Sequence, residues 1–187
     1  DPVMKAIIRA TGPIEVKGRK DVYGSLIRSI TSQQLSVKAA NTIYQRFLDL
    51  FPKRNPLPEL VLATDIQEMR SSGLSQAKSQ YLKNIARFSL EEGLGYQKLN
   101  RMDDEELIAY LTRIKGVGRW TAEMVLMFTM NRPDLLPVDD LGIRQSMKHH
   151  YRLKGEGRLL TVRMLKTAEV WRPYRTLACL HLWRIRN

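Results

Sequence analysis

Apolar residues in this chain of 187 residues return at spacings of three and four, and period-two alternation over the length of a strand is hard to find. Such spacing gathers apolar side chains on one stripe of a helix, whereas a half-buried strand needs alternation. The pattern confines the chain to helix-on-helix packing, an all-α fold of about nine to eleven short helices. Val3, Ile7 and Ile8 mark the first, stopped by Gly12-Pro13, and Val22, Leu26, Ile27 and Ile30 mark the second. Ser36 is placed to cap a third, which carries Ala40, Ile43, Phe47 and Leu48 and ends before Pro52. Pro52, Pro56 and Pro58 read as a loop. Thr64 and Gln67 have capping-box spacing ahead of a helix that Gly73 stops. Ser75 caps the next, with Tyr81, Leu82, Ile85 and Phe88 as its stripe. Asp103 and Glu106 repeat the capping pattern ahead of Leu107, Ile108 and Leu111. After a break at Lys115-Gly116-Val117-Gly118, a helix is expected from about Arg119 to Met130, closed by Pro133. Asp139 is expected to cap a helix with Leu141, Ile143, Met147 and Tyr151, and Thr161 to cap another. Pro173 is expected in the first turn of a last helix, with Leu177, Leu180 and Trp183 on its apolar face.

Apolar residues make up 43% of the chain and charged residues 27%, a mix that supports a packed core without staples. The single cysteine, Cys179, excludes an internal disulfide framework, a Cys-rich zinc site and a four-cysteine iron–sulfur cluster. His149, His150 and His181 form no metal pattern with nearby acids. No apolar run approaches the roughly 20 residues that span a bilayer, and no signal peptide is read. No membrane partner is expected, and the expected location is intracellular: cytoplasm or nucleoid in a bacterium, nucleus in a eukaryote. The net charge of +12 is uneven, because from residue 141 onward eleven Lys and Arg stand against two acids. Clustered cations are the footprint of a protein that follows a phosphate backbone. A solvated basic surface and an anionic membrane surface are the plainer alternatives.

The segment LTRIKGVGRWTAEMVLMFTMNRPDLLPVDDLGIR, Leu111 to Arg144, carries the most chemistry. A helix ends, two glycines sit two apart, and a new helix begins. The amides of Val117, Gly118 and Arg119 would be free at a helix N-terminus, a ready phosphate site, with Lys115 and Arg119 adding charge beside it. Taken alone, a GxG of this kind is most simply a helix–helix turn.

The segment resembles the helix-hairpin-helix of the HhH-GPD superfamily of base-excision DNA glycosylases, in KGVG, the following RWTAEMVL and the downstream Pro-Val-Asp-Asp. Within that superfamily the chain is similar to compact 3-methyladenine DNA glycosylase II enzymes, the AlkA-like group. LIRSITSQQLSVKAA, Leu26 to Ala40, is similar to the base-pocket and wedge helix–loop, and WRPYRTLACLHLW, Trp171 to Trp183, to the last helix. GLSQAK, Gly73 to Lys78, also agrees. The resemblance implies a single domain over residues 1–187, built of two helical lobes around a cleft, with the helix-hairpin-helix at about 104–130. The first and last helices would share a lobe, and the hairpin and Asp140 would face one side with the Gln33–Gln34 loop on the other.

Breaking a glycosidic C–N bond leaves oxocarbenium character on the sugar, so the useful protein group is a carboxylate. Asp139 and Asp140 are the candidates, and sequence physics alone leaves them near even. The resemblance assigns the catalytic role to Asp140, with Asp139 as fallback beside the pocket. A negative charge at a helix N-terminus is favourable and suits stabilisation of a sugar cation, with activation of the attacking water left open. Bifunctional relatives carry a lysine where this chain has Trp120, which implies a monofunctional hydrolase without lyase activity. Trp120 would offer a π-face to an extruded cationic base, unless it is simply a core tryptophan. By resemblance Trp183, Met124 and Gln33 also line the pocket. Met124 stands where bacterial relatives can have Tyr, which leaves the lesion range open. Gln34 or Leu35 would fill the gap left by the flipped nucleotide. Lys115, Gly116, Val117, Gly118, Arg119 and Thr121 would meet the DNA, and Tyr174 and Arg175 are weaker candidates. No cofactor is implied for catalysis. By position, the carbonyls of Thr112, Ile114 and Val117 would hold a sodium or potassium ion.

The partner implied is duplex DNA containing alkylated bases, met by a monomer. The leading expectation is release of 3-methyladenine, with 7-methylguanine beside it. A glycosylase for another damaged base, or a helix-hairpin-helix protein that binds damaged DNA without chemistry, are the alternatives.

Overall fold

The computed structural model describes residues 1–16 and 18–186. Among these residues there are twelve α-helices, two 3-10 turns and no strand. The helices are α1 (Pro2–Thr11), α2 (Val22–Ser32), α3 (Val37–Asp49), α4 (Pro58–Ala63), α5 (Ile66–Ser71), α6 (Gln76–Glu91), α7 (Tyr96–Leu99), α8 (Asp104–Thr112), α9 (Arg119–Phe128), α10 (Leu141–His150), α11 (Gly157–Ala168) and α12 (Arg175–Arg186). No described helix is long and apolar enough to cross a membrane. The chain divides into two compact units, one of Asp1–Gly18 with Leu126–Asn187 and one of Arg19–Val125.

In the unit Arg19–Val125, α6 is the central strut, packed by α2, α4 and α5. Leu82, Ile85 and Ala86 on its inner stripe are fully buried, as are Leu26, Ile27 and Ile30 of α2, Val61 of α4 and Met69 of α5. Ser36 and Ser75 cap α3 and α6 as expected, accepting from Ala39 N and Lys78 N. Asp103 and Glu106 form a complete capping box on α8. Two short helices escape the periodic pattern. α4 begins on Pro58, whose missing N–H is no loss at a first helical position, and α7 has four residues, too few to show a period. The cap of α5 is Asp65, not Thr64: Asp65 Oδ1 accepts from Gln67 N at 2.7 Å, while the Thr64 hydroxyl turns back to Leu60 O and closes α4.

In the other unit, α12 packs on α1 and α10. Asp1 caps α1 through Met4 N at 2.8 Å. Arg184 ties α12 to the end of α1 through Thr11 O and Pro13 O, so the first and last helices share this unit. Three expectations change here. α11 starts at Gly157 after Glu156, and Thr161 lies inside it with its hydroxyl bonded to Gly157 O at 3.2 Å. Pro173 precedes α12 rather than opening it. The core stripe of α12 is Ala178, Cys179 and Leu182, whereas Leu177 is exposed and Leu180 and Trp183 are half-buried.

Candidate active site and nucleic-acid interface

The hairpin between α8 and α9 belongs to the unit Arg19–Val125. Gly116 turns the chain at φ +107°, and a Cβ there would lie 2.3 Å from Cγ of Tyr81. Only glycine allows both the left-handed turn and the close approach of the Tyr81 ring. Asn84 Nδ2, one turn further along α6, donates to Lys115 O at 3.1 Å. Ile114 and Val117 anchor the hairpin with buried side chains. The Val117 amide is not free as expected: it donates to Ile114 O at 2.9 Å and closes the turn. The amides of Gly118 and Arg119 head α9, where helical geometry supplies no intrahelical acceptor. Lys115 and Gly118 are exposed. Arg119 is not an uncommitted cation, since it makes two bonds to Glu105, at 2.6 and 2.9 Å, and one to Glu123 at 3.0 Å. The hydrogen bonds from Arg119 hold the Glu105 carboxyl below its ordinary range.

Carbonyl oxygens such as those of Thr112, Ile114 and Val117 are hard, neutral donors suited to an alkali cation. The bond from Val117 N takes one of the two lone pairs on Ile114 O and leaves the other. The donor set therefore fits such an ion. Among the described residues no cluster of three His, Cys, Asp or Glu could hold a metal.

The loop after α2 lies in the same unit as the hairpin, where the sequence reading set the two on opposite sides. Gln33 caps α2, and Gln34 follows in the left-handed region at φ +56°. Gln34 and Leu35 are exposed, and Val37 beyond them is 89% exposed. Gln33 is half-buried, and its Nε2 donates to Thr121 Oγ1 at 3.4 Å. Thr121 is buried, so its hydroxyl serves this internal bond rather than open solvent. Trp120 is 40% exposed, which removes the reading of it as a core tryptophan. Met124 is half-buried, one turn along α9.

The aspartate pair lies in the other unit. Asp140, not Asp139, caps α10: its Oδ1 accepts from Ile143 N at 2.8 Å. Asp139 is exposed and Asp140 buried. The chain reaches the cap through a turn in which Asp140 N donates to Pro137 O, and this turn sets the cap one residue later than the sequence suggests. Trp183 Nε1 donates to the same Oδ1 of Asp140 at 2.8 Å. The indole also stacks on Phe128, with ring centroids 5.7 Å apart at 27°. Gly142, in the first turn of α10, makes room for it, because a Cβ there would stand 3.0 Å from Cδ1 and Nε1 of Trp183. Sequence reasoning paired Trp183 with no aspartate and missed Phe128. A glycine early in a helix, two residues after an Asp pair, was the available signal for Gly142.

Arg175 is spent on structure. It bonds both carboxylate oxygens of Asp134, at 2.7 and 3.0 Å, and its side chain is 13% exposed, so its guanidinium is committed to this pair. Tyr174 is exposed.

One unit thus presents a rigid hairpin, an exposed aromatic and an exposed polar loop. The other presents a buried carboxylate held by a helix N-terminus and an indole N–H. A carboxylate so held can face a developing cation without reorganising.

Residues 27–173 match the HhH-GPD superfamily of base excision DNA repair proteins. The chain is 39% identical over 190 residues to DNA-3-methyladenine glycosylase 1 of Schizosaccharomyces pombe, covering 98% of this chain and 82% of that protein. A solved structure of a 3-methyladenine DNA glycosylase from the same yeast, in complex with abasic DNA, is similar with a TM-score of 0.87 at 37% identity, over 98% of this chain and 91% of that one. A DNA-3-methyladenine glycosidase from Bacillus halodurans gives a TM-score of 0.85 at 34% identity, over 98% and 84%. The sequence match runs from α2 to the turn before α12 and takes in both the hairpin and the aspartate pair, and the chain belongs to the HhH-GPD superfamily of base excision DNA repair proteins.

Proposed function

We propose that this protein is a monofunctional DNA glycosylase that hydrolyses the N-glycosidic bond of alkylated purines, 3-methyladenine foremost and 7-methylguanine beside it, in duplex DNA inside the cell. The observation that carries the reading is Asp140, a buried carboxylate at the N-terminus of α10 whose Oδ1 is held by two N–H donors. A fixed anion of this kind stabilises positive charge on the sugar as the C–N bond lengthens. An alkylated purine already carries positive charge and leaves readily, so little proton donation is needed. The C–N electron pair leaves with the base, which departs neutral, and water then adds to the sugar cation and gives its extra proton to Asp140 or to solvent. Exposed Trp120 supplies a π-face that favours a cationic base. Half-buried Met124 and Gln33 complete the pocket in this reading, and Asp139 is the fallback carboxylate. Gln34 and Leu35 enter the stack as the base leaves it, a rotation that costs a few kcal/mol and least for damaged bases.

Lys115 and the amides of Gly118 and Arg119 take the phosphates. The carbonyls of Thr112, Ile114 and Val117 would hold a sodium or potassium ion that neutralises phosphate charge, while the reaction itself uses no cofactor. Trp120, standing where a lyase would need lysine, leaves no amine for a Schiff base at that position. We read the whole chain as one such domain of two helical lobes, working as a monomer. The relatives support the substrate: they are named for 3-methyladenine, and one is solved with abasic DNA.

The test is incubation with duplex DNA carrying 3-methyladenine and 7-methylguanine, with free bases and strand breaks measured separately. Free methylated purine without enzyme-made breaks is the expected result. Release with strand cleavage would refute the monofunctional assignment. Binding without release of any alkylated base would overturn the substrate assignment and favour another lesion, for which Met124 gives the pocket a flexible wall.

A further inference from the structure

The loop after α2 ends a helix without the usual means. The last carbonyls of a helix have no intrahelical donors, and glycine in the left-handed conformation commonly lets the following backbone amides bond to them. Here the left-handed residue is Gln34, at φ +56°, where a side chain is unfavourable. The Gln33 amide reaches Ile30 O at 3.4 Å, and beyond it the donor among the described residues is Lys78 of α6, whose Nζ bonds to Thr31 O at 3.1 Å and Gln33 O at 2.7 Å. A cation at this end of a helix also opposes the negative pole of its dipole. Lys78 makes no ion pair among the described residues, and burial alone pushes its ammonium below the ordinary lysine range. The lysine is therefore held by the loop it caps.

The same helix holds the hairpin. Lys78, Tyr81 and Asn84 follow one another at intervals of three, and Tyr81 and Asn84 support Gly116 and Lys115 while Lys78 supports Thr31 and Gln33. The bond from Gln33 to Thr121 ties the loop to the first turn of α9. One face of α6 thus sets the spacing between the two segments that meet the DNA.

We propose that Lys78 is a positioning residue for base extrusion: by capping Thr31 O and Gln33 O it holds Gln34 and Leu35 as a pre-formed wedge at a fixed distance from the hairpin. This rests on the glycosylase reading above. A loop so held enters the stack without first being ordered, which shortens the extrusion step and leaves bond cleavage untouched.

The experiment compares wild type with Lys78→Met, which keeps the stem and loses both bonds. Extrusion is followed by fluorescence of 2-aminopurine placed beside 3-methyladenine, release by single-turnover assay, and folding by near-ultraviolet circular dichroism. Lys78→Met should slow extrusion and duplex release about ten- to hundredfold, as two charge-assisted bonds at a functional loop imply. Affinity for undamaged duplex should stay within about twofold, because phosphate contacts govern it. Release from single-stranded DNA, where no base need be extruded, should stay near wild type. Wild-type extrusion by folded Lys78→Met would overturn the proposal, and so would equal slowing on single-stranded DNA. If Lys78→Met does not fold, Lys78→Gln, which keeps one donor, is read by the same outcomes. A wild-type protein that releases no methylated purine would sink the glycosylase reading, whereas release by wild type and by the variant at equal rates sinks only the role of Lys78.

Discussion

Gly142→Ala places a single methyl group where the structure leaves no room beside Trp183. Its Cβ would stand 3.0 Å from both Cδ1 and Nε1 of the indole and 2.9 Å from an Arg186 guanidinium nitrogen. The guanidinium can swing away at little cost. The indole, stacked on Phe128, must retreat by about 0.5–1 Å to reach normal contact distance. That retreat stretches the 2.8 Å bond to Asp140 Oδ1 past the range of a hydrogen bond. A hydrogen bond to a charged group contributes about 1.5–3 kcal/mol, which corresponds to about a ten- to hundredfold loss of single-turnover base release if it orients the carboxylate. Global stability should fall by no more than about 2 kcal/mol, since the better helix propensity of alanine, about 1 kcal/mol, offsets part of the lost bond. Trp183→Phe removes the N–H and keeps a ring, so it should cost a similar factor. The two changes break the same bond, and adding Gly142→Ala to Trp183→Phe should lower release no more than about twofold further. The assay is single-turnover release of 3-methyladenine with the indole N–H resonance of Trp183 as a local probe. Wild-type release by Gly142→Ala with that resonance displaced would refute the reasoning, as would fully multiplicative losses in the double variant.

Three other expectations concern separate parts of the molecule. Burial raises the Asp134 carboxyl, but the hydrogen bonds and charge of Arg175, with Arg172 behind it, outweigh that and hold it below its ordinary range. A carboxyl depressed by folding contributes stability above its unfolded pKa and loses it as pH falls through the folded value. Asp134→Asn should therefore cost about 2 kcal/mol near neutral pH, and the two denaturation midpoints should converge below about pH 4. A constant difference down to pH 2 would contradict the role of the charge. Lys115→Gln should weaken binding to all duplexes and reduce the slope of log affinity against log salt by about one, read by fluorescence anisotropy. Trp120→Ala should raise the KM for 3-methyladenine duplex about five- to hundredfold, the worth of one base–aromatic stack, while binding to undamaged duplex holds.

Helix caps were legible where a short polar side chain precedes an apolar run without competition, as at Ser36, Ser75 and Asp103. They were misread where two candidates adjoin. Thr64 and Asp65, and Asp139 and Asp140, differ by one residue, and a turn closed by a backbone bond decides which one meets the free amides. The hairpin was legible because glycine at a left-handed turn leaves a type signature. Its support was not, because Lys78 and Asn84 reach carbonyls, and every residue has a carbonyl. Charge misled in the same way. Arg119 and Arg175 read as contacts for phosphate, but Glu105, Glu123 and Asp134 claim them through contacts that only the fold creates.

The central claim is that Asp140 carries the chemistry of a glycosylase, and Asp140→Asn tests it directly. The amide keeps an oxygen for Ile143 N and Trp183 Nε1 and loses the charge. Single-turnover release of 3-methyladenine from duplex DNA, measured beside affinity for the same duplex, should fall by about a hundredfold or more while affinity stays within about threefold. Release within a few-fold of wild type would contradict the account.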